Sequence, residues 1–306
     1  MLEASKRQLT EAIRSSEPAL IERFASLPHA VRLPVPKQLD AVYVPGLPGA
    51  GSGDHPILLV AHTDTVFDRP GRVVWHGHIG HSAHPDIGLG ADDRAGCAAL
   101  WALRNTGASL LIVPAEERGC IGSRYVAEHY ADLLKHHCFA VQFDRRGSSD
   151  LVFYDGEPDE LLNILEPAYG GYAEADGSYS DVAVLCPALG IAGVNISIGF
   201  DDEHTPDETI DAAAWTRTVD NARNLIAAGD YPPIPYVPDH TLYDPDDYGF
   251  GDWSEGLDDF DEPLADVAWC DDCALAWDAD DIDPTAPDPK CPVCGGPLLV
   301  AWEAAV

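Results

Sequence analysis

Ile57-Leu58-Leu59-Val60-Ala61-His62-Thr63-Asp64 decides how this chain folds. Five apolar residues in an unbroken run suit a strand buried on both faces and are too few for a helix. The polar triplet that follows is costly to bury unless something uses it. Downstream, Leu110-Leu111-Ile112-Val113, Phe139-Ala140-Val141-Gln142-Phe143 and Val194-Asn195-Ile196-Ser197-Ile198 read as further short buried strands. Helical patterns separate them. One runs from Ala95 to Arg104, and one starts near Ile121 with Tyr125, Val126, Tyr130, Leu133 and Leu134 on one face. Another runs from Asp211 to Ala228, and an N-terminal helix of roughly Ser5 to Phe24 precedes them all. The alternation predicts an α/β domain whose strands are buried between helices.

The 306 residues carry 52 acidic and 18 basic side chains, a formal net charge of −34. With 46% hydrophobic residues there is ample material for a core, and the length allows one large domain or two unequal ones. So acidic a chain disfavours binding to nucleic acid or to anionic membranes, since both rest on clustered Lys and Arg. The charge is uneven. Asp230 to Val306 holds twenty acids and one base, Lys290. Within it, 230–266 is rich in Pro, Asp, Tyr and Gly without Lys or Arg, and reads as an extended linker. The division expected is therefore a first domain over 1–229, an acidic linker over 230–266 and a small cysteine-bearing unit over 267–306. Neither a signal-peptide pattern nor an 18-residue apolar stretch is present, so a cytoplasmic location without a membrane span is expected.

Polar residues gather at the ends of the expected strands. His62 and Asp64 follow the first, Asp92-Asp93 sits in a glycine-flanked turn before a helix, and Glu116-Glu117 follows the strand ending at Pro114. Asp144 closes the strand at Phe143, and His204 follows the one ending near Ile198. Ligands of α/β sheets bind beyond the carboxyl ends of strands, so the five segments are placed to converge. Two imidazoles and several carboxylates suit zinc, or manganese or cobalt, in a two-metal site. A short Asp92 at a tight turn suits a carboxylate shared by two ions. Asp64 is spaced to hold the second ring nitrogen of His62. Adjacent glutamates divide naturally between a ligand and a general base.

These segments resemble the co-catalytic zinc exopeptidases, a family of aminopeptidases, carboxypeptidases and dipeptidases. The resemblance rests on Leu58 to Val66, Gly90 to Gly96, Pro114 to Ser123, Phe143-Asp144 and Asp202 to Glu208, and covers roughly residues 50 to 228. It implies a mixed, mostly parallel sheet flanked by helices. It implies that His62 and Asp144 bind one metal and Glu117 and His204 the other. Asp92 would bridge them through a segment with a cis Asp92–Asp93 peptide. Glu116 would be the general base of a hydrolysis driven by a two-metal-activated water, with Asp64 the partner of His62. Many family members insert a lid domain between the fourth and fifth ligand segments. Asp144 and His204 are only 60 positions apart, which resembles the compact branch where aminopeptidases are frequent.

Cys270-Asp271-Asp272-Cys273 and Cys291-Pro292-Val293-Cys294 are two Cys-x-x-Cys knuckles and resemble a zinc ribbon with one structural zinc. The acidic surroundings point to a protein partner or plain structure for this unit. Cys97, Cys120, Cys138 and Cys186 read as reduced core residues. Three further groups stand near the ligand segments. The histidine-dense stretch from His76 to His84 reads as an exposed flexible loop or a rim to the site. Tyr169 to Tyr172 and Tyr179-Ser180-Asp181 fall where substrate loops are expected. Arg145 and Arg146 offer either a fork for a substrate carboxylate or charge balance. The function expected is an aminopeptidase acting on short peptides. The alternatives are a deacylase or carboxypeptidase on N-acyl amino acids, and a non-catalytic metal-binding scaffold that recruits a protein through its ribbon.

Overall fold

In the computed structural model, Leu58–His62 forms a strand (β3) whose side chains alternate between two buried layers. Leu59 and Ala61 join one apolar cluster, and Leu58 and Val60 the other. That period of two explains an apolar run without polar interruptions. Ser109–Val113 (β6), Ala140–Arg145 (β7) and Gly193–Ser197 (β10) complete a parallel centre in the order β6-β3-β7-β10. Leu39–Val44 (β2) and Val31–Val35 (β1) extend it antiparallel beyond β6. Asp150–Val152 (β8), antiparallel to β10, and Ala173–Glu174 (β9), parallel to β8, finish the other edge of a mixed eight-stranded sheet.

Helices cover both faces. Leu2–Ile13 (α1), Glu17–Ala25 (α2), Ala91–Leu103 (α3), Asp159–Tyr169 (α5) and Ala212–Ala228 (α7) pack on one side through residues such as Leu9, Phe24, Leu100, Leu165 and Trp215. Ile121–Leu134 (α4) and Asp181–Leu189 (α6) pack on the other through Val126 and Leu185. A small antiparallel sheet, in the order β11-β12-β5-β4, is built from Val73–His76 (β4), Ile79–Ser82 (β5), Phe200–Asp201 (β11) and Thr209–Asp211 (β12). Among the described residues no helix is long and apolar enough to cross a membrane.

The structure describes residues 2–36, 39–46, 56–68, 71–156 and 158–238, together with the backbone of three later strands. The chain divides into two compact units, Met1–Leu242 and Tyr243–Val306. In the second, Val267–Cys270 (β13) pairs antiparallel with Leu275–Asp278 (β14) and with Leu298–Val300 (β15). Cys273, Cys291 and Cys294, and residues 239–266 of the expected linker, lie outside the described residues.

Several local expectations change. The single N-terminal helix is two, broken at Arg14–Ser16. Ser16 is extended, and Pro18 in the first turn of α2 has no N–H to continue a ladder from α1. The histidine-dense stretch is a hairpin, β4 and β5, turned at Gly77 and His78, rather than a loop. Tyr169 and Tyr172 face the core, their hydroxyls on the Thr218 carbonyl at 3.2 Å and the Thr218 hydroxyl at 2.9 Å. Residues after α7 stay docked: Ile234 is buried, its N–H donates to the Cys138 carbonyl, and its carbonyl accepts from Ala192, both at 2.8 Å.

Candidate metal centre

The five ligand segments meet at the carboxyl ends of the parallel strands. His62, the last residue of β3, is buried. Its Nε2 lies 3.2 Å from Asp92 Oδ1, 3.5 Å from Asp144 Oδ1 and 3.9 Å from Glu116 Oε2. His204 sits between β11 and β12, and its Nε2 lies 3.2 Å from Asp92 Oδ2 and 3.0 Å from Glu117 Oε1. Asp92 thus turns one oxygen to each imidazole. Two donor sets share it, His62/Asp92/Asp144 and Asp92/Glu117/His204, each with its donor atoms within 4.8 Å of one another.

The backbone is shaped for this convergence. Gly90 caps α3 in the left-handed region, Asp92 and Asp93 leave helical geometry, and the peptide between them is cis. Asp93 is fully buried and does not point at the other ligands. It accepts from the N–H of Gly96 at 2.8 Å and of His62 at 3.3 Å. Gly96 is required there, because a Cβ would sit 2.3 Å from Asp93 Oδ1 and 2.5 Å from the Phe143 carbonyl. Ala115 and His204 hold positive φ, at 60° and 64°, strained positions for non-glycine residues, and each aims the ligand segment it belongs to.

Asp64 does more than face His62. Its Oδ1 lies 3.3 Å from His62 Nδ1 without reaching hydrogen-bond geometry, and its two oxygens accept from the N–H groups of Glu116 at 3.0 Å and Glu117 at 3.2 Å. It clamps the loop that carries both glutamates. Asp144 is fixed from behind. Its Oδ2 accepts from the Ser180 hydroxyl at 2.8 Å and from Gln142 Nε2 at 3.1 Å, and its N–H donates to Asn195 at 2.9 Å. Glu208 accepts from Gly90, Ala91 and Asp92 N–H groups at 2.6, 2.8 and 3.1 Å. Roles for Gln142, Asn195 and Glu208 were not visible in the sequence, and Ser180, expected in a substrate loop, holds Asp144 instead. The polar residues inside otherwise apolar strands, Gln142 and Asn195, were the available signal.

Charge in this pocket is unbalanced. Burial, with the neighbouring carboxylates of Asp144 and Asp92, pushes Glu116 up to about 7. Burial and Asp92 do the same to Glu117 and Asp144, each to about 7. Hydrogen bonding to Asp92, together with Glu117, raises His204 to about 9. Burial opposes a charge on His62, but Asp144, Asp64 and Asp92 outweigh it and hold its pKa well above the usual imidazole range. Asp92 moves the other way: despite burial, His204 and His62 hold it low. Asp92 Oδ1 and His62 Nδ1, both buried, have no hydrogen-bond partner. Crowded acids, two imidazoles and the unpartnered Asp92 Oδ1 fit divalent cations.

Arg145 and Arg146 are spent elsewhere, on Asp150 at 3.3 Å and Glu203 at 3.0 Å, as charge balance would have it. Cys97, Cys120, Cys138 and Cys186 are buried free thiols.

The sequence profile described as peptidase family M28 matches residues 43–229. The chain belongs to peptidase family M28. As a member of that family it is a metallopeptidase. Solved structures share the M28 chain's fold. An aminopeptidase, PepT, from Bacillus cereus ATCC 10987 is 13% identical with a TM-score of 0.58, over 74% of this chain and 98% of that one. A leucine aminopeptidase precursor from Bacteroides thetaiotaomicron VPI-5482 is 14% identical with a TM-score of 0.52, over 74% and 97%. A glutaminyl cyclase from Tannerella forsythia is 14% identical with a TM-score of 0.50, over 74% and 98%. No curated protein matches the M28 chain significantly. At such identities the likeness carries the fold alone, and function is argued from the site.

Proposed function

We propose that this M28 chain is an aminopeptidase of short peptides working with two divalent ions, zinc by the chemistry of its donors. The supporting observation is Asp92, whose two oxygens lie 3.2 Å from His62 and 3.2 Å from His204, at the junction of two donor sets. His62 and Asp144 would hold one ion, Glu117 and His204 the other, with Asp92 between. Bound there, the ions supply a polarised scissile carbonyl and a water that ionises near neutral pH.

The chain's residues do the rest. Glu116 belongs to neither of the Asp92-sharing donor sets, and its Oε2 stands 3.9 Å from His62 Nε2 at the edge of the ligand cluster, where it can take a proton from the attacking water and pass it to the leaving amine. Asp64 fixes that carboxylate by clamping its backbone. Ser180 and Gln142 leave Asp144 only its Oδ1 to offer the site. Between Asp144 and His204 the chain is occupied by β8, α5, β9, α6, β10 and β11, elements of the unit itself, which favours the compact branch.

The C-terminal unit is proposed as a zinc ribbon held by Cys270, Cys273, Cys291 and Cys294. Support comes from the two knuckles and from the antiparallel β13 and β14 that flank the first. A protein partner for it and a cytoplasmic, reducing location belong to the same proposal.

The test is a substrate screen of the metal-loaded chain. Aminoacyl-anilides are hydrolysed if the reading holds. Turnover of N-acyl amino acids alone would replace it with a deacylase or carboxypeptidase, and full metal loading without either activity with a scaffold.

A further inference from the structure

Four arginines stand near the mouth of the site, and three are occupied. Arg118 pairs with Glu17 at 3.8 Å, Arg145 with Asp150 at 3.3 Å and Arg146 with Glu203 at 3.0 Å. Arg124, exposed in the first turn of α4, makes no carboxylate pair among the described residues. Neutral groups hold it instead. Its Nε donates to the Gly119 carbonyl at 3.1 Å and to the Tyr179 hydroxyl at 3.0 Å, and its Nη2 also reaches that hydroxyl. Its Nη1 and the second hydrogen of Nη2 are left for a partner, the geometry that receives a carboxylate through two parallel bonds.

The pair sits beside the reacting groups. Gly119, whose carbonyl Arg124 holds, donates its N–H to the Glu116 carbonyl at 2.9 Å. Tyr179 directly precedes Ser180, which holds Asp144. Arg124 and Tyr179 therefore join the wall of the site that begins α4 to the wall that begins α6.

We propose that Arg124, aligned by Tyr179, binds the C-terminal carboxylate of a di- or tripeptide substrate and so limits the enzyme to short peptides. The inference rests on the aminopeptidase reading above and names its substrate class. A guanidinium at the rim attracts the carboxylate end of the peptide, which leaves the amine end to lead into the site. Residues beyond the scissile bond reach about 3.5 Å each, so a short peptide carries its terminal carboxylate only as far as the rim of the site, where Arg124 stands. A longer peptide would place a neutral amide there.

The metal-loaded full chain is assayed on Leu-Gly-Gly and on its C-terminal amide. The free acid is expected to be favoured roughly tenfold or more in kcat/KM, mostly through KM. Arg124→Ala is expected to erase that preference while leaving the amide within about twofold of wild type. Arg124→Lys, which keeps charge but loses the fork, and Tyr179→Phe, which releases the guanidinium, should fall between. Equal rates for acid and amide in the wild type, or an Arg124→Ala loss equal on both, would overturn the inference and leave the aminopeptidase reading standing. A preference for Leu-Glu-amide over Leu-Gln-amide without any acid-over-amide preference would overturn it in favour of an acidic side-chain pocket. Hydrolysis of none of these peptides would overturn both readings.

Discussion

Glu208 Oε1 accepts the backbone N–H of Asp92 at 3.1 Å from 116 positions away in sequence, and its carboxylate also accepts from Ala91 and Gly90. The turn that aims Asp92 at both imidazoles is thus tied down from the residue just before β12. Burial pushes Glu208 up to about 7 against those three hydrogen bonds. Glu208→Ala would strand three buried donors. A loss of about 3 kcal/mol is expected, with Tm lower by roughly 6–10 °C and weaker metal binding, although Glu208 is not a proposed ligand. Unchanged metal affinity with Tm within a degree of wild type would mean that the turn holds itself.

Glu116 and Asp64 separate chemistry from support. Glu116→Gln keeps the size and the backbone contacts of its loop, so metal content should stay while kcat falls by roughly 10²–10⁴. Asp64→Ala removes the acceptor of two N–H groups, at 3.0 and 3.2 Å, and should weaken metal binding as well as turnover. Metal analysis alongside kinetics distinguishes the two. Wild-type turnover by Glu116→Gln would remove it from the mechanism.

Much of this site was legible because each proposed ligand sits where its own segment changes character. His62 ends an apolar run, Asp92 lies in a glycine-flanked turn, and Asp144 closes a strand. Supporting residues announce themselves less, since their meaning depends on a partner far along the chain. Ser180 acts on Asp144 across 36 positions, Asp64 on Glu116 across 52, and Glu208 on Gly90 across 118. With 52 acids in one sequence, nothing local marks which carboxylate will meet a backbone N–H. The break between α1 and α2 is legible at Pro18, which cannot continue the hydrogen-bond ladder of α1.

Asp181 is fully buried with Oδ1 unpartnered, and its Oδ2 accepts from Gln142 Nε2 at 3.2 Å. Burial, aided by Glu116, pushes it up to about 7. A carboxyl raised in the folded state contributes its stability at low pH and loses it as pH climbs through that raised value. Asp181→Asn keeps the oxygen facing Gln142 and removes the charge. Wild type and variant should be closest below pH 3.8, and their difference should widen from pH 5 up to about 7. The variant should gain on the order of 2 kcal/mol over wild type by pH 8.5. Thermal melts across that range in chelator test this, and a constant difference would show that Asp181 does not titrate there.

Metal removal should invert the pH dependence of stability. Without metal, Glu116, Glu117 and Asp144 are each raised to about 7, so their contribution is full below their ordinary values of 4.5, 4.5 and 3.8 and is lost as pH rises through 7. His204, raised to about 9, contributes fully below 6.5 and loses that contribution as pH passes 9. Asp64 and Asp92, both held low, add stability above about 3.8 that stays constant across this window. These four raised groups therefore act in one direction between pH 5 and 9, and the chelated protein should melt progressively earlier as pH increases. A divalent ion requires these groups deprotonated, so its affinity and the Tm gain it confers should grow with pH. Melting curves at pH 5.5, 6.5, 7.5 and 8.5, in chelator and in excess zinc or manganese, should diverge toward alkaline pH. Parallel curves would mean that the ion does not bind through this cluster of carboxylates and imidazoles.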